Sequence, residues 1–470
     1  MMHMLPFEFT RFDTDHYLLV NESGEYMFLD DGTFEKLIHN NVEPTDNNYH
    51  QLKSRHFIYT KNLEETIELV SAKYRSRKRF LSDFTTLHMM VLTLKCSNDC
   101  RYCQVSAENE AASEYDMSIE VAEKIIDLIF KSPSFFIKIE FQGGEPTLNW
   151  NTLKNAVLYA EELNKLHHKS LDFVVCTNLV TITEEQLNFF KKHNIHISTS
   201  LDGPKSIHDK NRILKNGKGT YEAFIKNLSL SRKILGKSQV NALMTTTCDN
   251  INRLTEVVDE YIKLDFNGIF IRPLNPYGFA LTKSDNSEYL IEDFVNSFES
   301  VLNYIINLNL NGVRFVEFYT RLLLTRILTP FSTGFVDLQS PSGAGISGVI
   351  YDFNGDVYPA DEGRMLARMG DAHFYMGNAL ADSYDTIFGG SIIRDIARRS
   401  CLEVMPYCAT CVYRAYCGAD PIRNYTETGD IMGKRPESDF CKKNKLIFDI
   451  LFRKIKENNA DEMDVFWSWI

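Results

Sequence analysis

Ten cysteines are spread unevenly over the 470 residues, with three near position 100 and five between positions 401 and 441. The first group, Cys96, Cys100 and Cys103, has the spacing C-x3-C-x2-C. Thiolates are the natural ligands of iron–sulfur clusters, and a cluster of four irons usually takes four of them. Three thiolates leave one iron open to bind and activate a substrate. A fourth cysteine elsewhere that closes the cluster, or a zinc site, is the alternative.

The second group consists of Cys408, Cys411 and Cys417, followed by Cys441. Four thiolates satisfy either a tetrahedral zinc ion or a closed [4Fe–4S] cluster. The spacing alone does not decide between the two metals. Cys401 is left over, either as a stray thiol or as a ligand of an incomplete cluster.

Strand and helix patterns alternate from residue 88 to residue 275 and would position the first cysteine group. The candidate strands are residues 89–94, 136–142, 173–177, 195–200, 240–246 and 268–272. Six such βα units predict an α/β fold with a parallel sheet, which right-handed crossovers curl into a partial (β/α)6 TIM-like barrel. The cysteine loop directly follows the first strand, at the barrel end where active sites lie.

The loop resembles the signature of the radical S-adenosylmethionine (SAM) superfamily, C-x3-C-x-aromatic-C, with Tyr102 at the aromatic position. The resemblance implies a [4Fe–4S] cluster whose open iron chelates the amino and carboxylate groups of SAM. It also implies that one electron cleaves SAM to methionine and a 5′-deoxyadenosyl radical, which removes a hydrogen atom from the substrate. The difficult chemistry would belong to the cofactor, and the protein would supply orientation and a dry cavity.

Further residues match the family at the ends of the next three strands. Paired glycines allow a backbone to approach a ligand closely, and the second strand is followed by a segment similar to the GGEP motif that meets the SAM amino group. Asn178 ends the third strand, and Ser200 begins a stretch that resembles one whose serine and arginine hold the ribose and carboxylate of SAM. Arg212 suits a carboxylate because its guanidinium is a bidentate donor; helix caps or surface ion pairs are the alternatives. The expected cofactor-binding set is Tyr102, Gly143, Gly144, Glu145, Pro146, Asn178, Ser200 and Arg212.

Beside a radical SAM core, the second cysteine group resembles the SPASM extension, which holds auxiliary [4Fe–4S] clusters. Residues 342–345 and 355–360 match the places of a second auxiliary cluster but lack its cysteines. We therefore expect one auxiliary cluster, with zinc as the alternative. Asp361 follows a segment that faces the barrel mouth in relatives, where an acid could take a proton from an intermediate. A solvated turn is the alternative for Asp361, and Tyr277, after the last strand, is a second catalytic candidate.

Composition excludes several function classes. The formal net charge of -12 disfavours nucleic-acid binding. No apolar run reaches about 18 residues, so no membrane span is expected. The first residues lack the features of a signal peptide. Many cysteines without a secretory signal predict a reducing compartment, the cytoplasm.

The chain divides into five predicted segments. Residues 1–85 form a small accessory α/β domain, 86–280 the radical SAM barrel and 281–335 a helical connector. Residues 336–445 form the SPASM-like domain and 446–470 a C-terminal helix. The strands at 17–20 and 26–29 with the turn at 21–24 predict a hairpin. The first segment resembles winged-helix modules that capture a leader peptide as an added strand; an unrelated accessory fold is the alternative.

Nearly the whole chain is similar to the radical SAM maturase (the B-type component) of the His-Xaa-Ser system. The matching segments are residues 5–9, 20–22, 139–146, 338–345 and 416–421. The resemblance implies a precursor peptide with repeated His-Xaa-Ser units and a second radical SAM protein of the same pathway. An electron donor such as flavodoxin or ferredoxin is expected. The alternatives are a radical SAM enzyme that acts on a small molecule and a non-catalytic zinc-binding scaffold.

Overall fold

The computed structural model describes residues 2–275, 277 and 289–470 of the chain. The chain forms two compact units. The terminal unit contains residues 1–82, 320–343 and 397–470, and the central unit contains residues 83–319 and 344–396. The predicted division into five domains stays a prediction.

The helices and strands follow in chain order. The first part holds β1 (His3–Met4), β2 (Phe7–Arg11), β3 (His16–Asn21), β4 (Tyr26–Asp30), α1 (Asp31–Ile38), α2 (Tyr49–Ser54), β5 (Ile58–Tyr59), α3 (Leu63–Arg77) and α4 (Phe80–Asp83). The middle part holds β6 (Leu87–Thr93), α5 (Ile119–Ile129), β7 (Phe136–Gly143), α6 (Trp150–His167), β8 (Ser170–Cys176), α7 (Glu184–Lys192), β9 (Ile195–Ser200), α8 (Lys205–Asn211), α9 (Tyr221–Leu235), β10 (Val240–Leu243), α10 (Leu254–Lys263), β11 (Gly268–Ile269), α11 (Ile291–Leu310), β12 (Val316–Glu317) and α12 (Phe318–Leu328). The last part holds β13 (Gly348–Tyr351), β14 (Asp356–Tyr358), α13 (Asp361–Arg368), β15 (Gly377–Asn378), α14 (Tyr384–Phe388), α15 (Ser391–Arg399), α16 (Pro421–Thr428), α17 (Asp439–Glu457) and α18 (Ala460–Trp469).

The central unit is built on an eight-stranded sheet with the order β10-β9-β8-β7-β6-β13-β14-β15. The strands from β10 to β13 pair in parallel, and β14 and β15 are antiparallel. The predicted α/β class with a mostly parallel sheet is confirmed. Residues on one face of β7, such as Ile139 and Phe141, are fully buried. The intervening Lys138, Glu140 and Gln142 lie on its other face, because side chains alternate along a strand.

The sixth predicted strand lies outside this sheet. Only Gly268 and Ile269 of the expected residues 268–272 form a strand, and β11 pairs in parallel with β12 in a separate two-stranded sheet. A Cβ at Gly268 would lie 2.5 Å from the carbonyl oxygen of Val316, so glycine permits this close approach. The place beside β6 is taken by β13, a strand of four residues that is too short to show a period in the sequence.

The terminal unit contains a three-stranded antiparallel sheet with the order β2-β3-β4. The predicted hairpin is its β3–β4 pair, in which Leu18 lies opposite Phe28. Asn21 Oδ1 fixes the turn because it accepts from the backbone N–H groups of Ser23 and Glu25, both at 3.1 Å. Buried residues from these strands, the first two helices and β5 form one core: Leu19, Met27, Leu29, Phe34, Leu37, Val42, Tyr49, Leu52, Phe57 and Ile58.

Within the terminal unit, the hairpin turn is tied to distant parts of the chain by buried side chains. Arg77 Nε donates to Ser23 O at 2.6 Å, and its NH1 donates to Arg326 O at 2.7 Å. Arg326 Nε donates to Tyr416 O at 2.7 Å, and Tyr416 OH donates to Gly24 O at 2.9 Å. The first strands and the cysteine-rich segment therefore share one hydrogen-bonded interior.

In the part of the chain that the structure describes, no helix combines the length and the apolar character needed to cross a bilayer.

His88 on β6 should make the free energy of unfolding decrease at acidic pH. The ring is fully buried and its Nδ1 lies 3.1 Å from Tyr351 OH. Burial lowers the pKa of His88 to about 3. Because the unfolded chain takes up this proton near pH 6.5 and the folded chain does not, stability falls as pH falls through this window. From pH 6.5 to 5 we expect a loss of roughly 2 kcal/mol.

Chemical unfolding at several pH values measures this loss. His88→Gln should flatten the slope between pH 6.5 and 5, whereas His167→Gln, on the exposed end of α6, should keep it. An unchanged slope in His88→Gln would show that other groups carry the acid sensitivity.

Candidate functional site

The loop that carries Cys96, Cys100 and Cys103 follows β6 at the carboxyl end of the central sheet. Cys96 is buried, and its Sγ accepts from Asn98 N at 3.4 Å and from Asn178 Nδ2 at 3.7 Å. Burial raises the pKa of Cys96, and it raises the pKa of Cys100 to about 11. These thiols therefore need a bound cation to become the thiolates that ligate metal.

The backbone of the segment after β9 holds the cysteine loop from one side. Asp99 N donates to Ile213 O at 2.7 Å, and Arg101 N donates to Asn211 O at 3.0 Å. Cys103 N in turn donates to Cys100 O at 3.2 Å, which closes a tight turn within the loop. The spacing of the cysteines is thus matched by a fixed backbone.

Gly143 and Gly144 hold the loop from the other side. A Cβ at Gly143 would lie 2.1 Å from Thr93 O, and one at Gly144 would lie 2.3 Å from Lys95 O. The Gly144 N–H donates to Thr93 O at 2.8 Å. The sequence predicted that these glycines leave room for a ligand; the structure adds that they let the turn after β7 pack against the cysteine loop.

Glu145 connects this turn to the end of β8. Its carboxylate is fully buried and accepts from Thr147 Oγ1 at 2.6 Å, Thr177 Oγ1 at 2.8 Å and Asn178 N at 2.9 Å. Burial raises the pKa of Glu145, and the hydrogen bonds from Thr147 and Asn178 oppose the rise. Pro146 begins the short 3₁₀ turn that follows. The side chain of Glu145 thus fixes Asn178 in front of Cys96.

A third network anchors Tyr102, the aromatic residue of the cysteine loop. Tyr102 OH donates to the fully buried carboxylate of Asp202, with distances of 2.8 and 2.6 Å to its two oxygens. Arg212 Nε donates to the same carboxylate at 3.3 Å, and its guanidinium lies 5.2 Å from the Tyr102 ring centroid. Burial alone would lower the pKa of Arg212, but Asp202 raises it. Ser200 ends β9 two residues before this carboxylate.

The inner face of the sheet, which is the face opposite Ile139, carries polar side chains that were not assigned from the sequence. Cys176 Sγ donates to Glu140 Oε1 at 3.2 Å. Burial raises the pKa of Glu140, and the charge of Asp361 raises it further. Strand alternation alone places Glu140 on the face opposite Ile139, and this signal could have found it.

Asp361 begins α13, and its Oδ1 accepts from Arg364 Nε at 3.0 Å. Arg364 is fully buried, and neither its NH1 nor its NH2 has a hydrogen-bond partner among the described residues. Burial alone would lower the pKa of Arg364, but the nearby charges of Asp361, Asp352 and Cys103 raise it. Unpaired buried donors beside a cysteine suit an anionic group, such as a thiolate-bound cluster or a carboxylate. The residues therefore fit a cluster with SAM.

The other sequence candidates lie elsewhere. Tyr277 is buried at 1% exposure in the central unit, next to residues outside the described part of the chain. Cys401 belongs to the terminal unit, where its Sγ donates to Glu403 Oε2 at 3.2 Å.

The four cysteines of the second group belong to the terminal unit, where Cys417 and Cys408 influence the pKa values of Cys411 and Cys441. Cys408 is buried, and Cys441 lies in the first turn of α17, where its N–H donates to Ser438 Oγ at 3.2 Å. Asn444 Nδ2, one turn further on, donates to Cys417 Sγ at 3.6 Å. Burial, together with the charges of Cys417 and Cys408, raises the pKa of Cys411 to about 11. Among the described residues, no three acidic, histidine or cysteine side chains are arranged so that they could hold one metal ion.

A family comparison decides what the first loop belongs to. Residues 90–261 match the family model of the radical SAM superfamily, and this range includes all three cysteines of the loop. The chain contains a radical SAM domain. The match begins within β6, and the strands β7 to β10, the Gly143–Gly144 turn and the Tyr102–Asp202 contact all lie inside the matched residues.

Two curated relatives match mainly this part of the chain. The radical SAM cyclopropyl synthase TigE of Paramaledivibacter caminithermalis is 27% identical over 207 residues, which are 40% of this chain and 43% of the relative. A cysteine-type anaerobic sulfatase-maturating enzyme of Clostridium novyi is 26% identical over 220 residues, 44% of this chain and 58% of the relative. The chain thus spans about half the length of these relatives.

Two solved structures share the fold beyond the radical SAM domain. Native anSMEcpe with bound AdoMet and Cp18Cys peptide matches with a TM-score of 0.65 and 20% identity over 79% of this chain and 98% of that chain. Streptococcus suis SuiB bound to precursor peptide SuiA matches with a TM-score of 0.56 and 15% identity over 94% of this chain and 100% of that chain. The similarity therefore extends over both compact units.

Gly144→Ala should destabilise the protein, since its Cβ would lie 2.3 Å from Lys95 O and 2.6 Å from Leu94 O. We expect a loss of about 1–3 kcal/mol from overpacking, measured by denaturant unfolding of the metal-free chain. Gly32→Ala is the control, because its nearest neighbour, Asp30 Oδ1, would lie at 3.3 Å. Equal unfolding midpoints for the two variants would contradict the packing role.

Proposed function

We propose that this chain is a radical SAM enzyme that modifies a ribosomally made precursor peptide. The observation that carries the proposal is the cysteine loop at the carboxyl ends of the central strands, inside a matched radical SAM domain. Its relatives support a peptide substrate. One relative is named a sulfatase-maturating enzyme. The solved structures that share the fold of this chain include two with bound peptides.

Cys96, Cys100 and Cys103 would hold a [4Fe–4S] cluster and leave one iron for SAM. When bound, this pair would supply a 5′-deoxyadenosyl radical after one-electron cleavage of SAM. The chain contributes the orientation of the ligands. The Tyr102–Asp202 contact and the Gly143–Gly144 turn fix the loop from two sides, and Asn178 donates to Cys96 Sγ.

Ser200 and Arg212 are proposed to bind SAM at the end of β9. The Nε of Arg212 is used by Asp202, and this contact orients the guanidinium beside Cys100. A carboxylate would be attracted to this guanidinium in a site that excludes water.

Asp361 is the proposed proton acceptor for the substrate. Its Oδ1 accepts from Arg364 Nε, and its charge acts on Glu140 and Cys176 on the inner face of the sheet. Its side chain is 24% exposed, so it is accessible to a molecule bound there. Tyr277 stays a second candidate.

The second cysteine group is proposed to hold one auxiliary [4Fe–4S] cluster through Cys408, Cys411, Cys417 and Cys441. All ten cysteines of the chain are free. Asn444 and Ser438 hold two of the four ligand residues in place. Zinc is the alternative metal, and elemental analysis separates the two.

The finer proposal concerns the partners. A precursor with His-Xaa-Ser repeats would be the substrate, a second radical SAM protein would act in the same pathway, and flavodoxin or ferredoxin would supply electrons. We place the enzyme in the cytoplasm, where thiols stay reduced. Co-expression with a candidate precursor and peptide mass analysis tests this part: a loss of two hydrogens would support a crosslink or desaturation.

Cys100→Ala should abolish reductant-dependent formation of 5′-deoxyadenosine, because two thiolates do not retain the first cluster. Iron content should fall from about eight to about four atoms per chain if both clusters are cubanes. Cys248→Ala, which removes a cysteine outside both groups, should keep both values. Continued SAM cleavage by Cys100→Ala would contradict the assignment of the loop.

A further inference from the structure

Arg435 is a buried arginine beside the second cysteine group, in the terminal unit. Its side chain belongs to the short 3₁₀ turn before α17, and the residue is 4% exposed. NH2 donates to Gly418 O at 2.6 Å, directly after Cys417 in the chain. Nε and NH1 are buried and have no hydrogen-bond partner within the described part of the chain.

Besides burial, the largest influences on the pKa of this guanidinium are sulfurs. Burial alone would lower the pKa of Arg435, but Cys417, Cys408 and Cys441 raise it. Asp420 is a nearby carboxyl group as well, since the charge of Arg435 opposes the rise that burial causes in the pKa of Asp420. Buried unpaired donors are costly unless an acceptor is supplied, so the missing acceptor should lie on the side of the cysteines.

Resting on the proposed auxiliary cluster, we infer that Arg435 is its charge partner and donates Nε–H and NH1–H to the sulfurs of that cluster. Four thiolates around a cubane carry a net charge of about −2. Arg435 supplies one compensating positive charge from within the protein. Lys445, an exposed residue of α17 whose charge lowers the pKa of Cys411, supplies a second from the surface.

Two consequences follow for a cluster held in this way. Reduction by one electron adds a negative charge, which a buried guanidinium favours, so Arg435 should make the midpoint potential more positive. Hydrogen bonds to the ligand sulfurs should also retain the cluster, as partners outside the ligand set do at other metal sites. Arg435 is therefore a positioning residue, not a ligand.

The test uses the full chain with Cys96, Cys100 and Cys103 all replaced by alanine, so that only the auxiliary cluster contributes to the spectra. Arg435→Met removes the charge at similar length, and Arg435→Lys keeps the charge without the planar fork. Arg399→Met is the control. Arg399 lies in the same unit, but it is 48% exposed and pairs with Asp430 at 3.6 Å. Redox titration followed by electron paramagnetic resonance gives the potential, and iron release to a chelator gives the retention.

We expect Arg435→Met to shift the potential to a more negative value than the control and to release iron about 10- to 100-fold faster. Arg435→Lys should lie between the two, and it carries the comparison if the methionine variant does not fold. Equal potentials and release rates in Arg435→Met and Arg399→Met would overturn the inference while leaving the auxiliary cluster in place. Zinc instead of iron, or no metal in the control chain, would overturn the auxiliary cluster itself and the inference with it.

Discussion

The site depends on one close backbone contact, between residues 93–95 after β6 and the Gly143–Gly144 turn after β7. A Cβ at either glycine would come within 2.3 Å of a carbonyl oxygen, so the two strand ends are held at a separation that only glycine allows. Glu145 extends the contact to the end of β8 through Thr177 and Asn178. Three successive strand ends are thereby fixed to one another, and the cysteine loop takes its position from them.

Both cysteine groups pose the same electrostatic problem, and the chain answers it in the same way. Thiolates and clusters are anionic, and burial makes unpaired charge expensive. Each group has a buried arginine beside it whose N–H groups are only partly used. Arg364 is held by Asp361, and Arg435 is held by the carbonyl of Gly418. In both cases one side of the guanidinium is hydrogen-bonded to the protein, and the remaining buried N–H groups have no hydrogen-bond partner among the described residues.

Local patterns in the sequence predicted much of this arrangement. Alternation and segment length predicted five central strands and the β3–β4 hairpin, because each depends on neighbouring residues. Cysteine spacing located both groups for the same reason. Three features were not predicted, because each is defined by a partner far along the chain. They are the strand β13, the Tyr102–Asp202 contact and the positions of the two arginines. The charge of Cys103, for example, raises the pKa of Arg364 although some 260 residues separate the two, and no period or motif encodes such a pair.

The terminal unit joins residues 1–82 to residues 397–470, with Arg77 and Tyr416 bonded to the same hairpin turn. During synthesis the hairpin leaves the ribosome long before the segment that completes its interior. At roughly 5–20 residues per second, residues 83–396 take about 15–60 s to translate. Throughout that interval the hairpin turn of the nascent chain lacks the hydrogen bond that Tyr416 supplies in the folded protein.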